Sequence, residues 1–285
     1  MRPMLAFLAS CCTTSYSLAQ VQRTNDIEYA RVGNHELLLD LYLPTQETPP
    51  LIVWVHGGAW RSGSKAKMPL GFLVEQGYAV ASVDYRLSGT AKFPAQVHDC
   101  KAAIRFLRGN ADKYGFNATK IGITGSSAGG HLVAEIGVTN GHEALEGTVG
   151  DYNKQSSDVH AIVDLYGPTN FMTILKQSTP HGLGVRVPAL DLLLGDGPEK
   201  KPELARLASP VFHVDKSDVP LLLIHGDQDP QVPINQSHEL HAKYKALDLD
   251  VQFEVVHGGA HGGPPFFDAG RRKMIKEFFD RTLKQ

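Results

Sequence analysis

Cysteine is scarce in this chain: three occur in 285 residues, two of them adjacent at Cys11 and Cys12 and the third at Cys100. Three thiols so placed cannot form a disulfide framework, so a hydrophobic core must hold the fold. An excess of one charge is also missing, because 28 Lys plus Arg stand against 30 Asp plus Glu for a net charge of −2. With no basic block to track a phosphate backbone, nucleic acid is not an expected partner. No apolar run beyond the first residues approaches the roughly 20 residues that a membrane-spanning helix needs. Phosphate-binding fingerprints are absent too, since the Gly-rich turn Gly125-Ser126-Ser127-Ala128-Gly129-Gly130 carries no Lys. Among the 13 histidines, the pairs His238/His241 and His257/His261 have ligand-like spacings. His238-Glu239-Leu240-His241 is nevertheless not H-E-x-x-H, and no Cys or Asp cluster completes a shell, so no metal and no other cofactor is expected.

What is present is enough apolar sequence, 42% against 20% charged, for one large core, which suggests a single domain over residues 20–285. Residues 1–19 read differently. An early Arg2, a short apolar run and the small-x-small ending Ser17-Leu18-Ala19 form the layout of a secretory signal peptide cut after Ala19. Cleavage there would leave Cys100 alone in a secreted or periplasmic protein. Two other readings are weaker: a lipoprotein box ending at Cys11, whose preceding apolar run is very short, and a disordered cytoplasmic tail.

Further along, strand-length apolar runs alternate with helix-length amphipathic ones. The pattern predicts strands over 36–43, 51–55, 78–85, 120–124, 159–166, 221–225 and 251–256. Helices are predicted over 66–76, 94–108, 129–138, 234–247 and 267–283. The alternation implies an α/β fold with a mainly parallel central sheet flanked by helices on both faces. Residues 167–219 break the rhythm with a long Gly- and Pro-rich insertion. Insertions of this kind sit above the carboxyl ends of strands, where ligands bind, which makes this one a candidate cap; the alternative is a surface loop.

Gly125-Ser126-Ser127-Ala128-Gly129 falls between a predicted strand and a predicted helix, the setting G-x-S-x-G needs to form a nucleophile elbow. The glycines permit a tight turn that presents Ser127 Oγ at a helix N-terminus, with the Ala128 N–H free to donate to an anion. A serine hydroxyl needs a base, and the base needs an orienting carboxylate. Asp229, in the turn after a buried strand, is the expected acid; Asp227 lies nearer the strand and is expected to cap backbone N–H groups. His261, in the loop Gly258-Gly259-Ala260-His261-Gly262-Gly263, is favoured as base over His257, which adjoins its strand. A second anion-binding segment is His56-Gly57-Gly58-Ala59-Trp60, with Gly58 and Ala59 as donors beside Ala128. Here His56 is expected to hold the loop. Trp60 would form either a wall of the acyl pocket or a lid over the loop, and Ser126 is a further pocket candidate. Asp84, Arg86 and Asp99 read as structural ion pairing, His131 as a packed or capping histidine, and Cys100 as a core residue.

Together H-G-G-A-W, V-D-Y-R-L, G-S-S-A-G-G-H, H-G-D-Q-D-P-Q-V-P and G-A-H-G, in that order, resemble the α/β-hydrolase esterases related to hormone-sensitive lipase. The likeness is greatest to the bacterial acetyl-xylan and feruloyl esterase-like (BD-FAE-like) branch, and it spans roughly residues 27–283. The resemblance implies the α/β-hydrolase fold and a serine-dependent carboxylic ester hydrolase working through an acyl-enzyme. It also implies short-chain or aromatic acyl esters, such as acetyl or feruloyl groups on plant polysaccharide, as substrates. Besides a small-molecule or carbohydrate-linked ester, the only partner expected is a second copy of the chain in a homodimer. One departure bears on specificity: the related family usually has a third glycine where this chain has Ala59, followed by Trp60. That form is similar to kynurenine formamidases, so an arylformamidase-like or exopeptidase-like amide hydrolase is the alternative enzyme. A non-catalytic binding protein on the same fold is the alternative outside enzymes, and the complete Ser, Asp and His set argues against it.

Overall fold

Leu51, Val53 and Val55 join one hydrophobic cluster while Ile52 and Trp54 of the same strand join another, and all five are buried. Successive strand residues point to opposite faces, so a run apolar at every position specifies a strand covered on both sides. The computed structural model describes residues 21–284, so the expected leader with Cys11 and Cys12 lies outside the described residues. Its eight strands are β1 (Gln22–Val32), β2 (His35–Leu43), β3 (Pro50–Val55), β4 (Ala79–Val83), β5 (Asn117–Ser126), β6 (Ala161–Leu165), β7 (Leu221–Gly226) and β8 (Val251–Val256). They form one sheet in the order β1-β2-β4-β3-β5-β6-β7-β8. β1 and β2 are antiparallel and β2 meets β4 antiparallel; every other pairing is parallel.

Helices Ala95–Gly109, Ala128–Gly137 and Asn235–Ala246 contribute Leu107, Leu132 and Leu240 to the cluster that holds Leu51 and Val53. The opposite face is covered by Gly71–Glu75 and Ala269–Leu283 through Leu73, Val74, Ile275, Phe278 and Phe279. Cys100 is buried in the first cluster, and burial pushes its thiol pKa up.

Three expectations need correction. β1 lies outside the predicted strands, because most of its side chains are exposed and two irregularities in its pairing with β2 break the alternating pattern. The helix expected over 66–76 is confined to Gly71–Glu75; Pro69 lacks an N–H and excludes helix around it. The insertion 167–219 holds a 15-residue helix, Pro180–Leu194, that its Gly182, Gly184 and Pro188 conceal. Thr179 caps that helix by accepting from the Gly182 N–H at 3.1 Å, and left-handed Gly195 ends it.

Candidate active site

β5 runs into Ser127, which takes φ 54° and ψ −118° before the helix Ala128–Gly137 begins. A non-glycine residue in that region is strained, and the turn survives because its surroundings are close-packed. A Cβ on Gly129 would stand 2.1 Å from the Val55 carbonyl oxygen, and one on Gly125 would stand 2.5 Å from that of Gly129. Only glycine fits at either place, which is the physical content of the G-x-S-x-G spacing.

His261 Nε2 lies 2.8 Å from Ser127 Oγ, and His261 Nδ1 lies 2.6 Å from Asp229 Oδ2. Because the carboxylate can only accept, Nδ1 carries the proton and the Nε2 lone pair faces the hydroxyl. Asp229 Oδ1 accepts from the N–H groups of Gln231 at 2.8 Å and Val232 at 2.9 Å, which fixes its rotamer. His225 Nε2 stands 3.3 Å from Oδ2. Burial alone would raise the Asp229 pKa, but hydrogen bonding to His225, His261 and the Val232 N–H outweighs it and holds the carboxyl well below the usual range.

The rival acid and base face each other instead. Asp227 Oδ2 lies 2.9 Å from His257 Nδ1, and Asp227 Oδ1 accepts the Gly258 N–H at 2.7 Å, in keeping with the capping role expected of it. The His257 side chain is 86% exposed. This outer pair anchors the loop that carries His261.

The anion-binding segment runs through Gly58, Ala59 and Trp60 with φ of 111°, 52° and 57°. No described residue accepts from the N–H of Gly58 or Ala59, and Ala128, as the first residue of its helix, has no intrahelical acceptor. Gly58 and Ala59 line the cleft in which Ser127 and His261 meet. His56 braces the segment as expected, with Nδ1 2.7 Å from the Gly57 carbonyl oxygen and its ring stacked on Tyr85 at 4.4 Å. Arg86 and Asp99 form a two-pronged ion pair away from the cleft lining.

Trp60 departs from the pocket-wall expectation. It is fully buried and does not line the cleft: its Nε1–H donates to His131 Nδ1 at 3.1 Å, and its ring meets Phe171 edge-on at 5.5 Å. A left-handed φ turns the indole inward, so it underpins the loop. His131 Nε2–H in turn donates to the Ala208 carbonyl at 2.9 Å, and burial lowers its pKa to about 4. Ser126 does line the cleft. His238 and His241 pack against Phe253 of β8, and among the described residues no group of three or more His, Cys, Asp or Glu could hold a metal ion. None of the described helices is long and apolar enough to cross a membrane.

The cleft has a volume of about 440 Å³ and is lined also by Arg61, Tyr166, Val185, Arg186 and Gln231, none of which the sequence singled out. Tyr166, with φ 47°, sets its ring edge-on to His261 at 4.9 Å. Its place just after β6, at the carboxyl edge of the sheet, is the signal that could have found it. Val185 and Arg186 come from the insertion, where no motif marks them. A neighbouring cleft of about 400 Å³, with Trp54, Met68, Pro69 and Phe267 in its walls, shares Ser126 and Tyr166.

In sequence and fold the chain is similar to proteins named as esterases. The BD-FAE family model matches residues 39–244. The chain is 32% identical to esterase LipC of Mycobacterium tuberculosis over 237 residues, which are 79% of this chain and 56% of LipC. It is 30% identical to the isoprenylcysteine alpha-carbonyl methylesterase ICME of Arabidopsis thaliana over 230 residues, 78% of this chain and 53% of ICME. The chain therefore spans little more than half the length of these curated relatives. Among solved structures, a truncated carbohydrate esterase from gut microbiota superposes with a TM-score of 0.85 at 35% identity, covering 95% of this chain and 99% of that one. A bifunctional GH43-CE protein of Bacteroides eggerthii gives 0.81 at 37% identity, covering 91% of this chain and 38% of that one.

Proposed function

The chain belongs to the BD-FAE family, and from that premise we propose that it is a serine-dependent carboxylic ester hydrolase that works through an acyl-enzyme. The observation that carries the reading is the unbroken hydrogen-bonded series from Ser127 Oγ through His261 to Asp229. In the proposed reaction His261 Nε2 takes the hydroxyl proton as Ser127 Oγ bonds to the ester carbonyl carbon. The oxyanion that forms is met by the N–H groups of Gly58, Ala59 and Ala128, and ionised Asp229 stabilises the imidazolium. The bond to the alcohol oxygen then breaks, and His261 returns the proton to that oxygen. Water repeats the sequence: it gives a proton to His261, its oxygen bonds to the acyl carbon, and Ser127 Oγ leaves with the proton.

Short-chain or aromatic acyl groups on plant polysaccharide are the proposed substrates, and the insertion 167–219 is the proposed cap. The carbohydrate esterase neighbours support that choice, as do related structures of a Thermogutta terrifontis esterase with butyrate or propionate bound, at 26% identity. Hydrolysis of acetyl, butyryl and feruloyl esters by wild type and Ser127→Ala tests the reading. Turnover of at least one ester by wild type, abolished in the variant, is expected; near-normal hydrolysis by Ser127→Ala would refute it. Export through residues 1–19 belongs to the same proposal. Sequencing the N-terminus of the secreted protein should then find Gln20 first, whereas an intact Met1 would count against cleavage.

A further inference from the structure

Arg186 is fully buried, and none of its three guanidinium nitrogens has a hydrogen-bond partner among the described residues. An Arg fork carries five N–H donors, and a buried cation without protein partners for them is costly to hold in a protein interior. The Trp60 ring gives little back, since Cζ of Arg186 stands 5.9 Å from its centroid, at the outer limit of useful cation–π attraction. Asp229 is the anion whose field reaches it, but the two share no hydrogen bond; Asp229 is engaged by Gln231, Val232 and His261. Burial, opposed by Asp229 and helped by Arg61, lowers the guanidinium pKa to about 10, so it stays charged at neutral pH. Arg186 lines the same cleft as Ser127 and His261. Exposed Arg61 lines it too, and among the described residues no carboxylate does.

We propose that Arg186, joined by Arg61, forms a carboxylate-binding subsite of this cleft, so that the ester opened at Ser127 carries a carboxylate. The inference rests on the ester-hydrolase reading above and specifies its substrate class. The planar fork matches a carboxylate in a two-pronged pair, and an anion there would supply the acceptors the buried donors lack. The carboxylate can sit on the acyl part, as in a dicarboxylic half-ester, or on the alcohol part, as in an acylated sugar acid. In either case it would add binding that a neutral ester cannot obtain.

The test compares matched esters on the mature wild-type protein. For the alcohol side these are para-acetoxybenzoate and para-acetoxybenzamide; for the acyl side, the para-nitrophenyl half-ester of glutaric acid and para-nitrophenyl butyrate. In at least one pair kcat/KM should favour the anion by about tenfold or more, as expected for a charge-assisted pair. The pair that responds identifies the side. Arg186→Met should collapse that ratio to about one, and Arg186→Lys should retain part of it. Equal kcat/KM within both wild-type pairs, or an unchanged ratio in a folded Arg186→Met, would overturn the proposal. Calorimetric titration of wild type with benzoate and glutarate, against benzamide and glutaramide, needs neither turnover nor a variant. Anion-selective binding supports the subsite, and its absence counts against it. If no ester is turned over but the anions bind, the hydrolase reading fails while the subsite stands.

Discussion

At the scale of single residues, the strongest constraints come from buried groups that hold one protonation state. His131 must stay neutral, because its Nδ1 accepts from Trp60 while its Nε2–H donates to Ala208. Trp60→Phe removes the donor and leaves a buried acceptor unpaired. Denaturant unfolding should then show a loss of about 1–3 kcal/mol, with a fall in kcat because the Gly58–Ala59 segment loses its support. Asp164 is the converse case. Burial raises its pKa to about 7, with the Gly167 N–H on Oδ1 and the nearby His225 opposing, and Oδ2 has no hydrogen-bond partner among the described residues. A carboxyl whose folded pKa is raised gives its full stabilisation below the unfolded value near 4, and loses it as pH climbs through 7. Asp164→Asn, which cannot ionise, should therefore gain stability relative to wild type between pH 4 and pH 7. The gain should approach roughly 4 kcal/mol at pH 8, since each tenfold difference in proton affinity between folded and unfolded chain is worth about 1.4 kcal/mol. Parallel stability profiles for the two proteins over that range would contradict the assignment.

Among the elements, the strand–turn–helix carrying Ser127 is the most tightly specified. Gly129→Ala would drive a Cβ to 2.1 Å from the Val55 carbonyl, a collision with backbone that no rotamer relieves. It should cost at least about 3 kcal/mol in unfolding experiments and abolish turnover. The helix Pro180–Leu194 supplies the contrast, because nothing lies within 4 Å of a Cβ on Gly184. Gly184→Ala should raise stability by roughly 0.5–1 kcal/mol through helix propensity alone. The two substitutions also mark what was legible in sequence. Gly125 and Gly129 bracket Ser127 at fixed offsets because both must meet backbone, so the turn announced itself. Pro180–Leu194 gave no such notice: it contains two glycines and an internal proline, residues that normally break a helix, and of the two glycines only Gly182 has a close neighbour, where a Cβ would stand 3.0 Å from the Pro230 carbonyl oxygen.

Across the whole molecule, the central strands could be read because burial on both faces demands unbroken apolar runs such as L-I-V-W-V and L-L-L-I. β1 could not, since it lies at an edge and answers mainly to solvent. The same division holds at the site. Ser127, Asp229 and His261 stand at strand ends, where short motifs carry the signal, and Tyr166 directly follows β6, whereas Val185 and Arg186 reach the cleft from the insertion 167–219, through packing that a linear pattern does not encode. Core burial of Cys100 makes a further prediction. Alkylation followed by peptide mass analysis should leave the Cys100 peptide unmodified in the native protein, and label it once denaturant unfolds the chain. Rapid labelling in the native state would mean that the helix Ala95–Gly109 is not packed as described.

The account depends most on Ser127 being a nucleophile activated by His261 and Asp229, and a fluorophosphonate probe followed by peptide mapping addresses that dependence most directly. The predicted result is a single phosphonyl adduct on the peptide containing Ser127, absent from Ser127→Ala and strongly slowed in His261→Ala. An unlabelled wild-type protein, or an adduct that persists in folded Ser127→Ala, would contradict it.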